Sequence, residues 1–155
     1  MKRMKKIFFI FVIIIGLLYG EEKFDGLKEP VRSNVYKTFS VDVNERTIGA
    51  YNLSEIKNSR SVSFLILLLD DEIPTWYKYD GYGLWTSPVN EARNAIIKIG
   101  SPSLEYIFQV LEGKHPYIEL NERIEKNLIY VLKNITNKNF EVREEWINWW
   151  NKEKS

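Results

Sequence analysis

A pattern of apolar residues occurs twice in the chain, with the second copy about 43 residues after the first. The matched residues of the first segment are Gly49, Leu53 and Ile56 in one copy and Ala92, Ile96 and Ile99 in the other. Their spacings of four and three residues place them on one face of a helix. A short polar turn and a second apolar segment follow in both copies, at residues 62–69 and 104–111. The sequence therefore predicts a pair of helices that is repeated.

Local signals for helix ends agree with these limits. Ser87-Pro88 and Ser101-Pro102 each combine a capping side chain with a proline already restricted to helical φ, so both predict the start of a helix. Gly100 directly follows Ile99 and suits the left-handed residue that ends the preceding helix.

A third, less regular unit can be recognised near the C-terminus. Its first apolar stripe comprises Leu120, Ile124, Leu128, Val131, Leu132 and Ile135, and its second comprises Val142, Trp146 and Trp149. The turn 136–139 separates the two stripes. The last unit of a repeat array has no following neighbour, so we interpret the aromatic residues Phe140, Trp146, Trp149 and Trp150 as a terminal cap.

The repeated stretch 45–71 resembles the HEAT-like pattern, and residues 90–112 repeat it. The residues that carry the resemblance are Arg46, Gly49, Ala50, Leu53, Ile56 and Leu69-Asp70-Asp71, together with the tail from Asn134 to Phe140 and its following tryptophans. The resemblance implies an all-α fold: a short α-solenoid of two to three HEAT-like helical hairpins over residues 44–155, with an aromatic C-terminal cap. It also implies a binding scaffold more often than an enzyme. Ala92-Arg93 departs from the expected order, so no binding residue is transferred.

The N-terminal segment has the layout of a signal peptide. Lys2, Arg3, Lys5 and Lys6 precede an uncharged, proline-free run at residues 7–19. This run is shorter than the roughly 20 residues of a membrane-spanning helix. We therefore expect residues 1–20 to form a signal helix that directs export to the periplasm or beyond. An uncleaved anchor formed by residues 7–19 is the alternative.

Residues 21–43 are predicted to be a linker or a degenerate leading segment. Gly26 and Pro30 interrupt regular structure. The alternation of Phe39, Val41 and Val43 with polar residues suits a short strand, but the same residues could belong to a degraded leading helix pair. We expect mostly helix.

Charge and cysteine content limit the classes of function. Without residues 1–20 the chain has 18 basic and 21 acidic residues and no local basic run, which argues against a nucleic-acid partner. The chain has no cysteine, which excludes disulfides, thiol catalysis, thiolate metal ligands and lipid attachment to cysteine.

Residues with chemical potential are few, and we expect no enzyme activity, no cofactor and no metal. His115 is the only histidine and is expected in the loop between the second and third units; a Ser-His pair is conceivable, but no nucleophile motif accompanies it. The stretch 80–83 lacks the Lys-Ser/Thr of a phosphate-binding loop. Asp70, Asp71, Glu72 and Asp80 could act as acid and base on a glycan or hold a cation. We expect them instead to end a helix and solvate the following turn.

The stretch 73–85 is the least ordinary part of the sequence, because five aromatic residues lie between two helical units. The candidate partner-binding residues are Trp76, Tyr77, Tyr79, Asp80, Tyr82 and Trp85. Aromatic residues in a long loop can form a binding surface, or they can fold back and cover apolar helix edges. Only the first arrangement leaves the rings exposed.

Three functions compete at this level. The leading hypothesis is a non-catalytic adaptor or scaffold of the cell envelope that binds a protein partner, with membrane contact only through the N-terminal segment. The alternative is a carbohydrate-binding or glycan-acting accessory protein in which Trp76 and Trp85 stack on sugar rings and Asp80 supplies polar contacts. The third is a structural role completed by self-association.

Overall fold

The structure is a computed structural model that describes residues 26–79 and 82–154. These residues are mostly helical, as the apolar periodicity predicts. The α-helices are α1 (Val31–Thr38), α2 (Val43–Ile56), α3 (Val62–Leu67), α4 (Pro88–Ile99), α5 (Leu104–Leu111), α6 (Glu122–Thr136) and α7 (Arg143–Glu153). None of the helices in the described ranges is long and apolar enough to cross a membrane. The predicted signal segment, residues 1–20, lies outside these ranges.

The two copies of the sequence repeat have the same order of elements. Helices α2 and α4 end at Ile56 and Ile99, the two residues aligned in the sequence. Each is followed by a residue at positive φ, Lys57 at 55° and Gly100 at 75°. A short 3-10 turn comes next, Ser59–Ser61 or Ser101–Ser103, and leads directly into α3 or α5. The Ser101-Pro102 signal therefore marks this turn, and the α-helix begins three residues later.

The helices are arranged in two layers. In one layer α2 packs against α4 and α4 packs against α6; in the other, α3 packs against α5 and α5 packs against α7. Fully buried apolar side chains fill the space between the layers; the largest include Leu53, Leu65, Ile66, Leu69, Ile96, Ile107, Phe108, Leu128, Leu132 and Trp146. Burial of each such side chain contributes about 1.5–3 kcal/mol relative to exposure, so this shared core holds the layers together.

The segment before the repeats contributes a further helix. Helix α1 packs on α2, and Val31 and Val35 of α1 are part of the buried core. Gly49 permits the close approach, because a Cβ at that position would lie 2.8 Å from the Asn34 carbonyl oxygen. Residues 39–43 form no strand; Asp42 instead caps α2 by accepting a hydrogen bond from the Asn44 amide. The expectation of helix is thus met for residues 31–38.

The C-terminal helices bury the predicted apolar stripe together with several aromatic rings. Ile124, Leu128, Val131 and Leu132 of α6 are buried, and Trp146 of α7 is fully buried. The Trp150 ring stacks on Phe108 of α5 with a centroid separation of 4.6 Å and an interplanar angle of 6°. Val142, which the sequence placed on the second stripe, is exposed because it precedes α7 as its N-terminal cap residue.

The Asn127 side chain connects elements of three successive helix pairs, α2–α3, α4–α5 and α6–α7. The Asn127 Nδ2 group of α6 donates to the Leu69 carbonyl oxygen at 2.8 Å and to the Arg123 carbonyl oxygen at 3.0 Å. Its Oδ1 atom accepts from the Arg93 guanidinium of α4 at 3.4 Å. Asn127 is buried, and its bond to the Leu69 carbonyl oxygen is shielded from water.

Candidate partner-binding site

The aromatic stretch forms an antiparallel hairpin, where the sequence predicted a loop. Strand β1 (Thr75–Tyr79) pairs with β2 (Tyr82–Thr86), with Thr75 opposite Thr86, Trp76 opposite Trp85 and Tyr79 opposite Tyr82. Threonine, tryptophan and tyrosine all favour extended backbone, which accounts for strands in this otherwise helical chain. The described residues otherwise agree with the all-α expectation, and this two-stranded hairpin is the exception to it.

The root of the hairpin is attached to the helical layers by two buried threonines. The Thr75 hydroxyl donates to the Asn44 side chain at the start of α2. The Thr86 hydroxyl donates to Glu91 of α4 at 2.7 Å. Because β1 is bonded to α2 and β2 is bonded to α4, the hairpin has a defined position relative to both helices.

Trp76 and Trp85 form an exposed pair on one face of the hairpin. Their ring centroids are 5.4 Å apart at an interplanar angle of 66°, an edge-to-face contact. Such a contact contributes about 0.5–1.5 kcal/mol beyond burial. Trp76 is 53% exposed and Trp85 is 69% exposed, so more than half of the surface of each residue is accessible to solvent.

Gly83 makes room for the Trp76 ring. A Cβ at Gly83 would overlap the six-membered part of that ring. The ring therefore lies diagonally across the hairpin, over the glycine and against Trp85. Gly83 is thus a packing position for the indole pair.

The remaining candidates differ in how far the structure describes them. Tyr77, Tyr79 and Tyr82 are strand residues, but their side chains lie outside the described part, and Asp80 lies outside it entirely. Sequence reasoning missed Ile73 and Leu84, whose side chains are also largely exposed. Both are aliphatic residues within the aromatic stretch, and a search for apolar rather than aromatic residues would have included them.

Asp71, one of the acidic residues before the hairpin, forms a buried ion pair. Asp71 Oδ2 lies 2.6 Å from Arg46 Nε, and both side chains are largely buried. The same guanidinium donates to the carbonyl oxygens of Ser40 and Val41. Asp71 ends the 3-10 turn Leu68–Asp70, and its Oδ1 atom accepts from the Ile73 amide in the following turn at 3.3 Å, as the sequence suggested. Its Oδ2 atom also neutralises a buried arginine, which the sequence did not predict. In the described ranges, no three His, Asp or Glu residues are grouped as a metal site would require.

Asp70 and Glu72 lie at the surface. Arg123 of α6 is 3.5 Å from Asp70 and 3.7 Å from Glu72, and all three side chains are about half exposed. Pairs of this kind contribute about 0–1 kcal/mol. Two exposed carboxylates thus face one exposed arginine beside the root of the hairpin.

His115 lies between α5 and α6, as predicted, and it contacts the first helix pair. Its Nε2 atom is 3.2 Å from the Ser63 hydroxyl, and its Nδ1 atom accepts from the Tyr117 amide at 3.3 Å. A neutral imidazole that accepts at Nδ1 carries its proton on Nε2 and donates to the serine. A general base would have to accept the serine proton at Nε2. The pair is therefore arranged in the opposite sense to a catalytic dyad.

Comparisons with protein-family models, with functionally curated proteins and with solved structures find no match for this chain. The geometry of the hairpin and its surroundings is thus the basis for a functional proposal.

Proposed function

We propose that this protein is a non-catalytic, protein-binding adaptor and that the hairpin carrying Trp76 and Trp85 is its contact surface. The observation that supports the proposal is the pair of exposed indoles on a hairpin whose root is fixed to two helices. Tryptophan is the residue type most enriched among the dominant contacts of protein interfaces. A rigid presentation reduces the conformational entropy lost on binding.

The same geometry favours a protein over a glycan. Sugar rings stack on the flat faces of aromatic side chains, and two sugar units need two faces that lie nearly parallel. Trp76 and Trp85 meet at 66°, so they do not form one flat platform. The two rings of an edge-to-face pair instead form a corner, and such a corner suits an apolar side chain of a protein partner.

The helical layers support a scaffold role in this proposal. The succession α2, α4, α6 beside α3, α5, α7 is the arrangement of a short α-solenoid of three HEAT-like helix pairs. In this interpretation the hairpin is an insertion between the first and second pairs, and the Phe108 and Trp150 stack covers the C-terminal end. Insertions in repeat proteins commonly project from one face and carry the binding residues.

The proposal includes export, on the evidence of the sequence. The basic start and the uncharged run at residues 7–19 support delivery to the cell envelope, with residues 1–20 as the signal. An adaptor in that compartment would meet its partner there.

Cross-linking in intact cells tests the proposal. The tagged wild-type chain is compared with the Trp76→Ala/Trp85→Ala variant and with Tyr130→Ala, which removes an exposed aromatic ring on α6. We expect one specific protein to be captured by the wild type and by Tyr130→Ala and to be lost with the double variant, whose helical circular dichroism is unchanged.

Two results would contradict the proposal. One is capture that does not differ between the wild type and the double variant. The other is loss of capture accompanied by loss of helical signal, because the tryptophans would then stabilise the fold rather than bind. Binding of purified cell-wall fragments that depends on the same two tryptophans would instead support the glycan alternative.

A further inference from the structure

The register of the hairpin determines which backbone groups point outward. Only two residues separate Tyr79 from Tyr82, so this closing pair exchanges hydrogen bonds. Hydrogen-bonded and non-hydrogen-bonded pairs alternate along an antiparallel ladder. Counting back, Lys78 with Gly83 and Trp76 with Trp85 are non-hydrogen-bonded pairs. The amide and carbonyl groups of Gly83 and Trp85 therefore point away from β1, along the outer edge of β2.

The outer edge of β2 is open, whereas β1 lies against a helix. Strand β1 packs on α2, and its first residue is bonded to Asn44. In β2 the three consecutive residues Gly83, Leu84 and Trp85 are all exposed. Outside the hairpin, the backbones of Gly83 and Trp85 make no hydrogen bond to the described residues. Water is the alternative partner for these groups, and another strand can replace it.

We propose that the partner binds as an extended peptide segment that adds a third strand to the β2 edge. This inference rests on the proposed function and specifies its mode. The peptide backbone pairs with the amide and carbonyl groups of Gly83 and Trp85. Alternate peptide side chains lie on the face of the hairpin that carries Trp76 and Trp85, so apolar residues are expected at those positions.

The size of the surface distinguishes a peptide from a second copy of this chain. A five-residue strand is about 17 Å long. Pairing along such an edge, even with contact to two indoles, buries well below the roughly 800 Å² per partner of a standard stable interface. A short linear segment suits this surface, whereas a stable dimer through two hairpins does not.

Charge indicates the character of the peptide. Asp70 and Glu72 are exposed at the start of the hairpin, and among the described side chains both pair with the single cation of Arg123. The chain without residues 1–20 has 21 acidic and 18 basic residues. Lysine or arginine residues in the peptide would be attracted by this surface, and the attraction weakens as salt is raised.

Peptide selection followed by NMR tests the inference. Random short peptides displayed on phage are selected on the protein purified from the envelope of expressing cells, with depletion on the Trp76→Ala/Trp85→Ala variant. A selected peptide is then titrated into the isotope-labelled protein. We expect the Gly83 and Trp85 amide protons to become protected from solvent exchange. N-methylation of alternate peptide residues should weaken binding about tenfold or more, since each lost amide removes a hydrogen bond.

The outcomes separate the two proposals. If peptides are selected through the tryptophans but the Gly83 and Trp85 amides stay unprotected and N-methylation has no effect, strand addition is wrong and the protein-binding role stands. If no peptide is enriched on the wild type over the double variant, strand addition is wrong, and the cross-linking experiment alone decides the protein-binding role. An affinity that does not change between low and high salt overturns the basic character of the peptide.

Discussion

Asp71→Ala should destabilise the fold far more than Asp70→Ala, although the two residues are adjacent. Asp71 pairs with Arg46, whose side chain is only 5% exposed, whereas Asp70 faces Arg123 at the surface. Removing Asp71 leaves a buried guanidinium without its carboxylate, at a cost of about 3–5 kcal/mol. Removing Asp70 affects an exposed pair that contributes about 0–1 kcal/mol. Because a domain of this size is stable by roughly 5–15 kcal/mol, the first change removes a large share of the total.

Urea unfolding followed by circular dichroism at neutral pH measures both costs. The Arg46→Met/Asp71→Leu double variant should recover part of the loss, because it removes the buried charge together with its partner. Equal unfolding midpoints for Asp71→Ala and Asp70→Ala would refute the reasoning. So would a double variant less stable than Asp71→Ala, since the penalty would then not arise from an uncompensated charge.

Three further predictions concern packing and pH. Trp146→Ala should cost about 3–5 kcal/mol and lower the thermal midpoint, because the side chain is fully buried; a loss below about 1 kcal/mol would show that α7 is not part of the core. Gly83→Ala should displace the Trp76 ring and change the near-ultraviolet circular dichroism while helical content stays constant; an unchanged aromatic signal would refute the glycine's packing role. A hydrogen bond from Lys154 lowers the pKa of Glu105 below 4.5, so this pair stabilises the fold at neutral pH and the contribution is lost as pH falls through the lowered pKa. Glu105→Gln should therefore be less stable than wild type in urea at neutral pH, and the difference should disappear in acid; a constant difference would contradict the assignment.

The helical part of the fold could be predicted because one-sided burial produces periodicity. Ile56 and Ile99 end their helices where the alignment placed them, and four of the five stripe residues that lie on α6 are buried. The hairpin could not be predicted in this way. Ile73, Leu84 and both tryptophans are apolar but exposed, so these four positions do not mark a buried face.

The candidate site could be predicted in part. Trp76 and Trp85 were identified from aromatic density, but their exposure depends on packing between segments that the sequence does not reveal. The ion pair of Arg46 with Asp71 joins residues 25 positions apart, and no local spacing indicates it. The open edge of β2 follows from the strand register. The sequence analysis predicted a loop here, so it could not supply that register.

The bonds of Asn127 have a consequence for how the chain comes apart. One carboxamide contacts the 3-10 turn after α3, the guanidinium of Arg93 on α4 and the first turn of α6, so the C-terminal pair cannot detach without breaking contacts to elements of both earlier pairs. Repeat arrays joined only by neighbour contacts can unzip from an end. Fraying of the last pair therefore also breaks hydrogen bonds to the 3-10 turn after α3 and to α4, each worth on the order of 1 kcal/mol.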